Sequence, residues 1–297
     1  MKQRFYYLRK MKSLISNQAI FTFVLALLTV MPLTAQTRKK STVARRPVAT
    51  AKKPAQSTSV SKPKLVDLGL PSGTKWADRN LGAASMTAIG NYYAFCETEP
   101  KQTFMPDNYT GDQNTTNVAG TDRDAATKKY GTGWSIPTKQ QFEELFENCE
   151  QATATINGTF VIKLTGPNGN CIYLPAPMNG NWVKMGNAAI TKQLNDAFKN
   201  VMENFDYLKQ FRAAASRGTG GVVKYGLAMY RTANNVMAWY FAFYGKDNKT
   251  AQGKSVITPK YEDGKNFSIA GLPIRPVFKA SESTDSSDNG GTLELPE

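Results

Sequence analysis

Glu97 and Glu99 stand two residues apart in "NYYAFCETEP". If that stretch is extended, side chains at i and i+2 share a face. Two carboxylates so placed can pass a proton or hold a cation. The plainer reading is a solvated pair neutralised by a lysine such as Lys101. A second group is aromatic and amide: Trp182 in "MNGNWVK", then Tyr230-Arg231 followed by Asn234-Asn235. Aromatic rings offer flat faces to the C–H faces of sugars. Trp182, Tyr230, Arg231, Asn234 and Asn235, together with Glu97 and Glu99, are therefore the candidate ligand-binding residues. In "NVMAWYFAFYG", alternation is expected to turn Trp239, Phe241 and Phe243 to the core and Tyr240 and Tyr244 to the other side.

Other chemistry-bearing residues fall away on spacing or type. Asp107, Asn108, Asp112, Asn114, Asp122 and Asp124 hold enough oxygen for calcium. They lack EF-hand spacing and the Glu-Pro-Asn or Gln-Pro-Asp patterns of calcium-dependent lectins, so a solvated loop and no cofactor are expected, with calcium the alternative. Ser72-x-x-Lys75 has the nominal spacing of a Ser/Lys acyl-transfer site, and Ser-Asp-Asn occurs at 287–289, but no Lys-Thr-Gly follows. Between Pro71 and Gly73, Ser72 reads as a turn residue. The chain has no histidine and three cysteines, Cys96, Cys149 and Cys171. That excludes Ser-His-Asp and Cys-His nucleophiles, His-ligated zinc or haem, and a four-cysteine zinc site. No catalytic residue and no metal ligand is assigned.

These residues need elements to position them, and charge shows where the elements lie. The 297 residues carry a net charge of +14. All of it falls before Leu65, where 14 Lys/Arg meet no acid; 37 less 14 leaves 23 Lys/Arg against 23 Asp/Glu in the remainder. A nucleic-acid binder carries its basic stripe on the folded face, so nucleic acid is not the expected partner. Lys2 to Lys12 form a basic n-region, "AIFTFVLALLTVM" (19–31) an apolar h-region, and Ala35 precedes a cleavage point, with Met11 an alternative start. The expected organisation is a signal peptide at 1–35, a basic linker at 36–64 too poor in large apolar residues to fold, one folded domain at 65–279 and an acidic tail at 280–297. Export follows, to the periplasm, outer-membrane surface or medium, with no membrane span after cleavage.

Within 65–279, "VDLGLPSGTKWADRN" reads as apolar runs about a turn and "NYYAFCETEP" as a strand. Residues 105–128 read as a loop. "GWSIPTKQQFEELFENC" predicts a capped helix: Thr138 as N-cap, Gln141 completing a capping box, and Phe142, Leu145, Phe146 and Cys149 on one buried face. Glu143 and Glu144 then belong to a solvated face, and Trp134 packs at the helix entry. A second helix is expected over about 188–212, and strands at "TFVIKL", "CIYL", "GVVKYGLAMYRT", "NVMAWYFAFYG" and "LPIRPVF". The class is α+β with short antiparallel strands.

"VDLGLPSGTKWADRNLGA", "NYYAFCETEPK", "DAATKKYGTGWSIPTKQQFEELFENC", "NGTFVIKLTGPNGNCIYLPA" and "GLPIRPVF" resemble the Fibrobacter succinogenes major paralogous domain, common in exported proteins of gut-type Bacteroidetes. The likeness covers most of 65–176 and resumes over about 225–278. It implies a C-type-lectin-like fold shared with formylglycine-generating enzymes, in which a closing Arg-Pro-Val strand returns beside the N-terminal strand and Arg275 joins the core scaffold. The chain departs from the family at "YGLAMYRT", at Phe95-Cys96 and in the helix-bearing insert 177–224. The resulting reading is an exported, non-catalytic envelope or surface protein that binds a glycan or a protein through variable loops. The alternatives are an assembly component of an envelope complex or surface appendage, and an enzyme of the formylglycine-generating type. That enzyme chemistry depends on a cysteine pair, and no two of Cys96, Cys149 and Cys171 map onto it.

Overall fold

The computed structural model describes residues 61–177, 182–186, 188–203, 220–247, 253–263 and 267–279. The predicted signal peptide, most of the basic linker, the end of the second predicted helix and the acidic tail lie outside the described residues. Along the chain come β1 (Leu65–Asp67), β2 (Lys75–Ala77), helix α1 (Ala125–Tyr130), β3 (Trp134–Ser135), helix α2 (Lys139–Asn148), β4 (Glu150–Ile156), β5 (Thr159–Thr165), β6 (Cys171–Pro175), helix α3 (Ala188–Glu203), β7 (Gly220–Arg231), β8 (Val236–Asp247), β9 (Gly253–Asp263) and β10 (Val277–Phe278). The strands form antiparallel sheets in the orders β1-β2-β10-β3, β4-β5-β6 and β7-β8-β9. The class is α+β. Among the described residues, no helix is long and apolar enough to cross a membrane.

The capped helix is built as its sequence dictates. The Thr138 side chain accepts from the Gln141 N–H at 3.2 Å, and the Gln141 side chain accepts from the Thr138 N–H at 2.9 Å. This satisfies two of the N–H groups that a helix start leaves open. Phe142, Leu145 and Phe146 are buried. Phe142 is the hub of the main core: its ring lies 5.1 Å from Trp76, 5.8 Å from Tyr230 and 5.8 Å from Tyr240, while Phe146 stacks on Tyr240 at 4.0 Å. The same cluster takes Ile162 and Leu164 from β5, Leu174 from β6 and Val277 from β10, so α2 is where the three sheets meet. One acid of its outer face has work to do. Glu144 accepts from the Ser72 N–H at 2.7 Å and the Ser72 hydroxyl at 2.6 Å, pinning the β1–β2 turn. Ser72 is a turn residue, with the Gly73 N–H donating to the Leu70 carbonyl at 2.9 Å.

β10 closes the domain. Val277 pairs with Trp76 on β2 and Ser135 on β3. Arg275, fully buried, donates to the Ala77 carbonyl at 3.1 Å and the Tyr173 carbonyl at 2.7 Å, tying the closing strand to β2 and β6. Both ends of the described domain meet at one corner. The Trp134 ring lies 5.6 Å from Phe278, and Lys62 sits over it at 5.3 Å. Lys62 also donates to the Tyr130 carbonyl at 3.0 Å, and Arg79 to the Ser61 carbonyl at 2.7 Å. The domain's bonds thus reach back to Ser61, four residues before the boundary expected from composition.

Several elements differ from the sequence expectation. "NYYAFCETEP" is not a strand: only Tyr93 forms a bridge, to Leu272, and the chain turns at Cys96 with φ 60°. β4 has no large apolar run to announce it. It is fixed by Asn157-Gly158, whose φ values of 47° and 78° make a two-residue hairpin turn, with Ile156 opposite Thr159. Helix α1 lies partly in the predicted loop, capped by Asp124, whose side chain accepts from the Ala126 and Thr127 N–H groups. On β8, Tyr240 faces the core with Ala238 and Ala242. That contradicts the outward turn expected of Tyr240, because both faces of this strand are apolar and alternation alone cannot choose between them. The side chains of Trp239, Phe241, Phe243 and Tyr244 lie outside what is described.

Candidate functional site

Three backbone bridges gather the loops into one bundle: Tyr93 with Leu272, Lys184 with Gly271, and Phe104 with Gly186. Together they join residues 93–104, the segment 182–186 and the approach to β10. A small apolar cluster of Tyr92, Ala94 and Phe104, with Ile89 and Tyr109 against it, packs the bundle. Lys184 lies over the Tyr92 ring at 4.6 Å. The β7–β8 turn enters from the other side. Asn235, in the left-handed region at φ 53°, donates to the Ser268 hydroxyl at 3.0 Å, and the Phe95 N–H donates to the Ser268 carbonyl at 2.8 Å.

Inside the bundle lies a polar group. Glu97 is buried, and its Oε1 accepts from Lys101 at 2.5 Å, from the Thr110 N–H at 2.7 Å and from the Thr110 hydroxyl at 3.1 Å. Lys101 also donates to the Asn108 carbonyl, so one ion pair holds the 97–110 loop closed. Arg231 is fully buried, and its Nη2 donates to the Phe267 carbonyl at 2.8 Å and to the Ala270 carbonyl. Burial pushes the guanidinium down to about 10, against the opposing pull of Tyr109, Cys96 and Glu97. Tyr109 is pushed up to about 12, first by burial and then by the neighbouring Cys96. These four groups therefore lie within electrostatic reach of one another. Glu97 Oε2, the Tyr109 hydroxyl and Arg231 Nε and Nη1 are buried without a hydrogen-bond partner among the described residues.

The structure brings together only part of the predicted set. Glu97, Arg231 and Asn235 converge on the bundle. Trp182 does not offer a stacking face: it is buried, donates its Nε1–H to the Pro177 carbonyl at 2.8 Å, and takes its backbone anchor from Asn195 at 3.1 Å. Tyr230 is buried against Phe142, with its hydroxyl beside Arg275 and Asn80. Both were expected at a ligand surface. They are core residues, because their strand and loop positions turn inward. Asn234 spends its carbonyl oxygen on the Lys139 N–H at 3.1 Å, at the start of α2. Glu99 is exposed while Glu97 is buried, so the two do not share a strand face. Asp124, read as a calcium candidate, accepts from four N–H groups, those of Gly120, Ala126, Thr127 and Ile136, at 2.8–3.1 Å. Asp112 likewise accepts from the Asn114 N–H and the Thr115 hydroxyl of its own loop. Lys101, named from the sequence as a partner for the carboxylates, pairs with Glu97, whereas Tyr109 was missed as part of the site. The four-residue step from Glu97 to Lys101 was visible, but not that the loop folds back over it.

Cys96, Cys149 and Cys171 are all free thiols. Comparison with family models, with curated proteins and with solved structures finds no match for this chain.

Proposed function

We propose that the chain is an exported, non-catalytic binding module of C-type-lectin-like build, displayed at the cell envelope or outside the cell and recognising a glycan through its loop bundle. The observation that carries this reading is the division of the molecule. The small sheet β1-β2-β10-β3 closes the domain and gathers both ends of the described domain at Trp134. The bundle of residues 89–112, 182–186 and 267–272 is assembled apart from the regular sheets by side-chain and bridge contacts. Closure of β10 beside β2, the second strand of the N-terminal hairpin, supports the family resemblance. The surface that the bundle offers combines Glu99, Lys101, Tyr109 and Lys184, all at least partly exposed, around an aromatic floor. Alternating donors, acceptors and rings are the means by which proteins grip sugars.

The test is a thermal-shift screen of the mature chain against a glycan panel, with calcium and with chelator. A ligand that binds the native state raises the melting temperature by mass action. The expected result is a rise with one sugar class that Lys184→Ala or Glu99→Ala abolishes. Trp182→Ala and Tyr230→Ala are unsuitable probes, since both open the core. No rise with any glycan, and a stable complex with an envelope protein instead, would replace this reading with the assembly role.

A further inference from the structure

Glu97, Tyr109 and Arg231 sit on segments that touch: Phe95 bonds Ser268, whose neighbours Phe267 and Ala270 anchor Arg231, and Gly111 lies against the Phe95 carbonyl and the Tyr109 hydroxyl. Four polar atoms of the three residues are buried without partners among the described residues. Native interiors rarely leave such atoms unpaired, because each forfeits its hydration without replacement. Arg231 and Glu97 could have solved this by pairing directly, yet they form no ion pair. Each is held off by its own anchors: Arg231 by the carbonyls of Phe267 and Ala270, Glu97 by Lys101 and Thr110. The backbone is shaped around the same spot. A Cβ at Gly111 would collide with the Phe95 carbonyl and press on the Tyr109 hydroxyl, so only glycine lets the 107–112 loop close here.

We propose that Glu97, Tyr109 and Arg231 form a binding site for a neutral hydroxyl group. Hydrogen-bond chemistry selects the guest. A carboxylate oxygen only accepts and guanidinium N–H groups only donate. A guest that satisfies both must donate to Glu97 Oε2 and accept from Arg231. A hydroxyl oxygen does both at once, accepting two bonds and donating one, and the Tyr109 hydroxyl can take either role. An anion would leave Glu97 Oε2 unpaired and face its charge, and a cation would face Arg231. The hydroxyl has two sources, a solvent water or the hydroxyl of a sugar entering beneath the Lys101–Tyr109 loop. The inference does not depend on the glycan reading, and its failure is separable from that reading's failure.

The deciding experiment is a crystal structure of the intact mature chain grown without polyols, then of the same crystals soaked in methyl pyranosides. An oxygen bonded to both Glu97 and Arg231 and unmoved by the soak supports the site with water as guest. A sugar hydroxyl in its place supports the site and makes it part of the ligand surface. A direct Glu97–Arg231 bond, a halide or a metal ion there overturns the proposal. Tyr109→Phe gives a solution check. Losing a bonded hydroxyl lowers the melting temperature by about 2–4 °C, whereas a temperature unchanged or raised on removing an unpaired one contradicts the assignment.

Discussion

Asp124 and Cys149 carry reactive side chains that the fold has committed to structure. The Asp124 carboxylate gathers four N–H groups from a loop, the first turn of α1 and the strand exit at Ile136. Asn keeps the size but turns an N–H₂ group toward those donors. Asp124→Asn is therefore expected to lose about 1–3 kcal/mol of stability, read from urea midpoints at unchanged m-value. An acid in a polar loop reads equally as a ligand or a cap. Here the deciding contact comes from Ile136, which only the folded chain delivers. For Cys149, burial and then the Glu144 carboxylate push the thiol up to about 11. A thiolate fraction that small at pH 8 makes a poor nucleophile. Iodoacetamide should label the half-exposed Cys171 of the native chain at pH 8 and reach Cys149 only on unfolding, as peptide mass mapping will show. Rapid native labelling of Cys149 would contradict its placement.

Helix α2 was legible almost completely, because its cap, its periodicity and its buried face agree with one another. Two losses of different size follow. Thr138→Ala removes the acceptor for the Gln141 N–H and is expected to cost about 1 kcal/mol. Phe142→Ala empties the point where Trp76, Tyr230 and Tyr240 converge and is expected to cost about 3–5 kcal/mol; both are measurable by equilibrium denaturation. Strands were legible where β-branched and aromatic residues cluster, as in β5 and β7. β4 was not, since "EQATATI" has a strand's alternation without its apolar bulk, and its register comes from the Asn157-Gly158 turn. The 91–100 stretch misled in the opposite way. Its aromatic residues suit a strand, but Tyr92 and Tyr93 serve different packing clusters and Cys96 turns the chain.

Across the described domain, the closing strand brings its two ends to one corner, and the loop bundle draws in segments far apart along the chain. The first was foreshadowed by the strand composition of the closing "LPIRPVF". The second was not, because the segments of Glu97 and Arg231 meet only when the β7–β8 turn and the 267–270 loop have been laid down. Aromatic residues near variable segments were the natural guess for a ligand surface. The structure instead buries Tyr230 in the main core beside Phe142, and Trp182 against Pro177 and Asn195. The most direct measurement is binding of the labelled mature chain to a glycan array. Saturable retention on one sugar class, competed by the free sugar and lost in Lys184→Ala with its melting temperature intact, is the result predicted. Retention on no glycan, or retention untouched by changes in the loop bundle, would contradict the account.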